Sequence, residues 1–393
     1  MSDNMENITE LNTDKIPDRR ALVKKIVVFV VIVAAVCCSV ALFLFNEGLN
    51  LDGLRRWGRY LTVRNDENFG VYSFDSHSSN RYEKMGDDLI VASIGGLSAY
   101  DKNGAERHVL QKPLELPQLL VSGNMAVAYD VGGSTLLALQ KGKGEVLSLE
   151  ETHPILDADL SSNGAICLSS SASGYKSVLS VYNEEQDLIY RWLSSTTYFP
   201  LCALAPNGRD MAAIAMGQTD GVFESSIYLF RTDSEEIQNK ISLGNELVYD
   251  ITFLDSDLMC AVCETGVQYF NMKGEQLGHY SYTDEYLKDF DLGGNGFLTL
   301  STNMYRAGNR YSLTTVNEKG KEIASCYIGE EILDLSAGGR YIAVLTPGKL
   351  TIYTQSLHVY HETTQIGSTT AVVMREDGSV LLLGSGQGNV YIP

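Results

Sequence analysis

The sequence predicts an all-β fold, a β-propeller of about eight four-stranded blades (seven is the alternative), set behind one transmembrane helix. Three observations lead there. A unit of form apolar-x-apolar-aromatic followed by a polar turn recurs with a period near 40 residues, which is the length of a propeller blade. Each unit has the same turn and strand pattern upstream of that segment. One uncharged run of twenty residues, IVVFVVIVAAVCCSVALFLF, stands apart from the repeats.

Residues 1–25 come first and are polar, with five acidic and five basic side chains and no aromatics. Such a segment buries too little apolar surface to offset its ordering entropy, so a disordered tail is expected. The run from Ile26 to Phe45 follows. It matches the roughly 20 residues a helix needs to cross a hydrocarbon core of about 30 Å. It is longer than the apolar core of a cleavable leader and is followed by Asn46-Glu47-Gly48-Leu49, which offers no small-x-small cleavage site. An uncleaved single-pass signal anchor is expected. Lys15, Arg19, Arg20, Lys24 and Lys25 precede the run, while the first base after it is Arg55. The N-terminus is therefore expected in the cytoplasm and the large domain outside the cell membrane.

Residues 46–68 form a juxtamembrane segment in which Leu51, Leu54, Trp57, Tyr60 and Leu61 alternate with arginines. The pattern suits an interfacial helix, with Arg55, Arg56, Trp57 and Arg59 at the lipid headgroups, or else a plain linker.

Residues 69–393 hold the repeats. The fourth position of each aromatic segment falls at Tyr100, Leu139, Tyr182, Phe230, Phe270, Val316, Tyr353 and Ile392. Upstream of it a short apolar strand enters a tight turn, such as SSNG at 161–164 or APNG at 205–208, and Asn-Gly pairs supply the positive φ that hairpins need. A second strand of small and β-branched residues follows, such as MAVAYD or YIAVLT, which suits packing on both faces. The eighth unit stops at Pro393 without an outer strand. A ring left with that edge open would be exposed to mispairing, so Val71-Tyr72-Ser73-Phe74, which belongs to no unit, is expected to close it. A β-sandwich reading would need two or three domains with linkers, and no linker composition is visible.

The part after the apolar run has 44 acidic and 25 basic residues, within a formal net charge of −19 for the chain. No basic face exists for nucleic acid, and cationic partners are favoured. Cys37 and Cys38 lie in the run; Cys167, Cys202, Cys260, Cys263 and Cys326 lie in the domain with no framework spacing. Cys260-Ala-Val-Cys263 sits on an expected strand whose residues three apart point to opposite faces, which argues against metal or redox use. The same objection applies to His358 and His361. Ser173-Gly-Tyr-Lys176 has the spacing of a serine acylase motif but falls in a hairpin tip. The pairs Asp157/Asp159 and Asp255/Asp257 read as solvated turn and edge carboxylates. No catalytic, cofactor or metal residue is assigned.

The basic tail, the run from Ile26 to Phe45 and the Tyr-rich repeat domain together resemble an uncharacterised family of single-pass, membrane-anchored β-propeller proteins of Gram-positive bacteria, a family of unknown function. The blades are similar to WD40-like and quinoprotein-like propellers. Only Trp57 and Trp192 are tryptophans, so the repeated Trp-Asp blade ending and the repeated tryptophans of quinone-binding blades are absent, and no cofactor or catalytic residue carries over.

Two functions fit. The first is a non-enzymatic, membrane-tethered extracytoplasmic scaffold that binds a protein or envelope component, with lipid contacted through one helix. The alternative is an envelope hydrolase or lyase with carboxylates converging at the propeller funnel. For the scaffold, the longest loops are SSSASGYKS at 169–177, GQTDGVFESS at 217–226 and TNMYRAGNRYS at 302–312. All three join second and third strands, so one face is expected to present Tyr175, Phe223, Tyr305 and Arg306 to a partner.

Overall fold

The computed structural model describes residues 27–39, Arg56, Tyr60 and 70–393 apart from Ser385. The chain divides into two units, Met1–Tyr60 and Leu61–Pro393. In the first unit, residues 27–39 form a helix. Thirteen residues rise about 20 Å, short of the roughly 30 Å of a hydrocarbon core. Among the described residues no helix is long and apolar enough to cross a membrane; residues 26 and 40–45 of the expected span from Ile26 to Phe45 lie outside the described ones. The expected disordered tail also lies outside them, as do Arg55, Trp57 and Arg59 of the juxtamembrane segment. Arg56 is buried, at 9% exposure.

The second unit contains eight four-stranded antiparallel sheets, and seven of them take their strands in sequence order. Blade 1 is Arg81–Met85, Asp88–Ser93, Gly96–Tyr100 and Glu106–Gln111, and the pattern repeats through blade 7, which ends with Val359–Thr363. Blade 8 is the exception. Its strands Ala371–Met374, Val380–Gly384 and Gln387–Tyr391 are completed by Val71–Ser73. Val71, Tyr72 and Ser73 pair antiparallel with Asn389, Gly388 and Gln387. The N-terminal strand therefore closes the ring, as the missing eighth outer strand requires.

Second strands are buried almost throughout because adjacent blades cover both of their faces. In blade 1, Leu89 and Val91 pack toward blade 8, while Ile90 and Ala92 pack toward blade 2. The same alternation produces eight buried apolar clusters, one at each junction between neighbouring blades. The core is thus a ring of wedges around a channel lined by the first strands. Cys260 and Cys263 show the alternation directly, since the first belongs to the junction of blades 5 and 6 and the second to that of blades 4 and 5.

The fourth positions of the aromatic segments share a structural feature that the sequence did not reveal. At Tyr100, Leu139, Tyr182, Phe270, Val316 and Tyr353 the pairing with the outer strand slips by one residue. Each bulge lets the chain turn out of the blade while the side chain at that position stays packed. In blade 8 the residue opposite Val380 is Tyr391, so the expected equivalence of Ile392 is one residue late.

Candidate functional site

Because every blade runs up and down in the same order, its second-to-third connection lies at the same end of the ring as the link from its outer strand to the next blade. The other two connections lie at the opposite end. The two ends differ in chemistry. At the opposite end, Ile237 is the one exposed large apolar residue in the described connections; Ile392 is exposed beyond the third strand of blade 8, and others, such as Leu188, Leu277 and Val359, sit on outer strands at the rim. The first end carries Ile94, Leu116, Leu247, Met304, Tyr305 and Leu333 in its connections, all exposed. Tyr175, Val222, Phe223, Tyr249 and Tyr286 are added at adjoining strand ends. Exposed apolar groups gathered on one face mark an interaction surface more often than scattered ones do.

The structure brings all four expected contact residues to this end, in blades 3, 4 and 6. Tyr175 is 44% exposed, Phe223 39% and Tyr305 51%. Phe223 stands at the tip of a hairpin built by the ten-residue strands Asp210–Thr219 and Val222–Arg231. Asp220 and Gly221 turn it, with φ of 53° and 85°, a conformation in which glycine carries no Cβ penalty. The blade 6 loop is tied down by its own bonds: Asn303 Nδ2 donates to the Gly308 carbonyl at 2.8 Å, and the Tyr305 amide donates to Asn303 Oδ1 at 2.9 Å. Arg306 lies over the Tyr286 ring at 5.5 Å, and Lys288 Nζ donates to the Arg306 carbonyl at 2.7 Å. Sequence reasoning missed Tyr286 and Tyr249. Tyr286 opens the first strand of blade 6 and Tyr249 is second in that of blade 5; each alternates with a less exposed neighbour, and that alternation is the signal that could have found them.

The channel holds a second set of polar groups. Asp157 and Asp159 are not solvated turn residues, which corrects the sequence reading. They lie two apart on the first strand of blade 3 and accept backbone N–H bonds from Cys202 and Leu204 of blade 4, both at 2.8 Å. Blade 7 repeats the arrangement, with Asp334 accepting from Val372 at 2.6 Å and Ser336 from Met374 at 3.0 Å. A first strand is an edge strand toward the channel, and these acceptors satisfy amides that no further strand can pair. Burial pushes the Asp157 and Asp334 carboxyls up to about 7, and those of Asp159, Asp250, Asp289 and Asp291 up to about 6. Asp255 and Asp257 do lie in an exposed turn, where Asp257 caps the Met272 amide.

Two cavities open from the channel. One, of about 680 Å3, is lined by Asn80, Arg81, Glu83, Asp291 and Asp334 among others; another, of about 380 Å3, includes Asp159, Ser161 and Thr252. Among the described residues no group of three His, Cys, Asp or Glu side chains is placed to hold a metal. His361 packs on the Tyr391 ring at 5.8 Å, and Ser173 lies in an exposed hairpin tip.

This geometry defines the class of protein, a WD40-like β-propeller with one apolar end. The C-terminal WD40 domain of Sif2 is similar over 82% of this chain and 98% of its own, with a TM-score of 0.60 at 13% identity. The Dos1 propeller is similar over 82% of this chain and 94% of its own, with a TM-score of 0.57 at 12% identity. At such identities the likeness is one of fold. The chain belongs to the family of unknown function DUF5711, whose model matches residues 62–384. No curated protein matches the sequence.

Proposed function

We propose that this protein is a non-enzymatic binding platform, a rigid ring that engages a protein or envelope component through the end carrying its second-to-third connections. The observation that carries this reading is the concentration of exposed aromatic and aliphatic side chains in the connections of that end, against Ile237 alone in the described connections of the other. Eight packed blades hold the connections in place while leaving their sequences free to vary. Three of the channel carboxylates, Asp157, Asp159 and Asp334, accept amides that join neighbouring blades, which favours a structural use for them over hydrolase or lyase chemistry.

The proposal includes a tether. The run from Ile26 to Phe45 is uncharged over a length that matches a bilayer core, and the basic residues before it favour a cytoplasmic N-terminus with the ring outside.

A photo-crosslinking amino acid placed in turn at Tyr175, Phe223 and Tyr305, and at Asn207 and Lys319 on the opposite end, tests the platform in intact cells. Adducts are expected from the first set. Adducts confined to the second set would overturn the reading. Protease shaving of wall-stripped cells tests the tether, with a C-terminal tag expected to disappear while an internal protein stays intact.

A further inference from the structure

The apolar end is not uniform around the ring. Between the blade 4 hairpin and the start of blade 6 the chain visits it repeatedly, and there it places Asp220, Glu224, Glu246, Glu264, Asp284 and Glu285. The bases of the same stretch, Arg231, Lys240 and Lys273, all flank third-to-outer turns at the opposite end. Glu246 accepts from Thr265 Oγ1 at 2.5 Å, and Glu285 accepts from Thr302, so both are held by neutral hydroxyls. Asp220, Glu264 and Asp284 are exposed. Among these carboxylates stand Phe223, Leu247 and Tyr249, also exposed; the sector ends at Tyr286, whose ring Arg306 of blade 6 covers. A hollow of about 300 Å3, lined by Val222, Phe223, Glu224, Gly244 and Asn245, opens at the tip of blade 4. The Tyr249 phenol is pushed up by desolvation and then by the charges of Glu264 and Glu246.

We infer that the sector formed by blades 4 and 5 docks a Lys- or Arg-rich polypeptide segment bearing an aliphatic or aromatic anchor. The anchor enters the hollow beside Phe223, and the cations lie over Glu224, Glu246, Glu264 and Asp284. Charge complementarity selects this occupant. Phosphate-bearing surfaces and a second copy of this chain, with its net charge of −19, both meet like charge here, and a small polyamine would leave the apolar groups uncovered. The inference deepens the platform reading and rests on it.

The test uses the full-length protein and a fluorescein-labelled peptide of twelve residues in which lysine alternates with leucine, beside a control with glutamate for each lysine. Anisotropy is expected to show binding of the lysine peptide that weakens as salt rises, and no binding of the control. Phe223→Ser and the pair Glu224→Lys with Glu264→Lys are each expected to weaken it about tenfold or more, with unchanged thermal unfolding showing that the ring is intact. Equal binding of the control peptide, or binding indifferent to these substitutions, would overturn the inference. So would dimerisation through Phe223 in sedimentation. If adducts at Phe223 in cells join a partner lacking a basic segment, the inference fails while the platform reading stands. Adducts from the opposite end alone defeat both.

Discussion

At the residue scale, the carboxylates of the channel show how a single side chain acquires a role from a distant neighbour. The Asp-x-Asp spacing at Asp157 and Asp159 is legible in the sequence, but the amides they accept lie 45 residues away on the next blade. Nothing local identifies that partner, so the pair reads as solvated when taken alone. A pH dependence follows. Burial raises the Asp157 carboxyl from 3.8 to about 7, so the folded ring holds this proton more tightly than the unfolded chain does. Its contribution to stability therefore falls as pH climbs from about 4 to about 7 and is constant above that. The thermal midpoint is expected to drop over this window. Asp157→Asn keeps an acceptor for the Cys202 amide and removes the titration, so it should flatten the slope. An unchanged slope in the variant would refute the assignment.

At the element scale, the closing strand Val71–Ser73 is three residues long and exposed at both ends, yet its middle residue is firmly held. Tyr72 is fully buried, and Arg375 Nη2 reaches both its hydroxyl, at 3.4 Å, and the Asp87 carbonyl, at 3.0 Å. The turn after the third strand of blade 1 presses against the strand at Gly104, where an added Cβ would sit 1.8 Å from the Val71 carbonyl oxygen. Gly104 also has φ of +82°. Gly104→Ala is expected to destabilise the ring by about 2 kcal/mol or more, measured as a lower urea midpoint. Deleting Asn389–Pro393 removes part of the closing pairing as well, and amide exchange in Val380–Gly384 should then rise sharply. The need for this strand was legible because a four-strand unit was visibly one strand short. The bulge near the end of six of the third strands was not, because a register slip depends on the partner strand. Ile392 stood in for Tyr391 because the pairing that fixes the position, Val380 opposite Tyr391, lies on another strand.

At the scale of the whole molecule, stability resides in eight junctions and no single centre, and ring closure couples them. Phe199 at the junction of blades 3 and 4 and Leu381 at that of blades 8 and 1 are both fully buried. Phe199→Ala and Leu381→Ala should each cost about 3–5 kcal/mol, and each should lower one common transition in calorimetry instead of splitting it. Two separate transitions would show that the blades melt independently.

The sequence by itself determined the class of fold, the repeating strand pattern and the device that closes the ring, and it left the count at eight blades or seven, which the eight sheets decide. Each of these is written in local chemistry, as a turn that needs glycine, a strand buried on two faces, or a count of segments. The tertiary structure alone decided which carboxylates bridge neighbouring blades and which further groups, Tyr249, Tyr286 and Leu247 among them, join the expected Tyr175 and Tyr305 at the end that carries Phe223. Those relations join residues tens of positions apart that only the curvature of the ring makes neighbours. Alternation along a strand fixes which face a side chain takes, but not what stands opposite it.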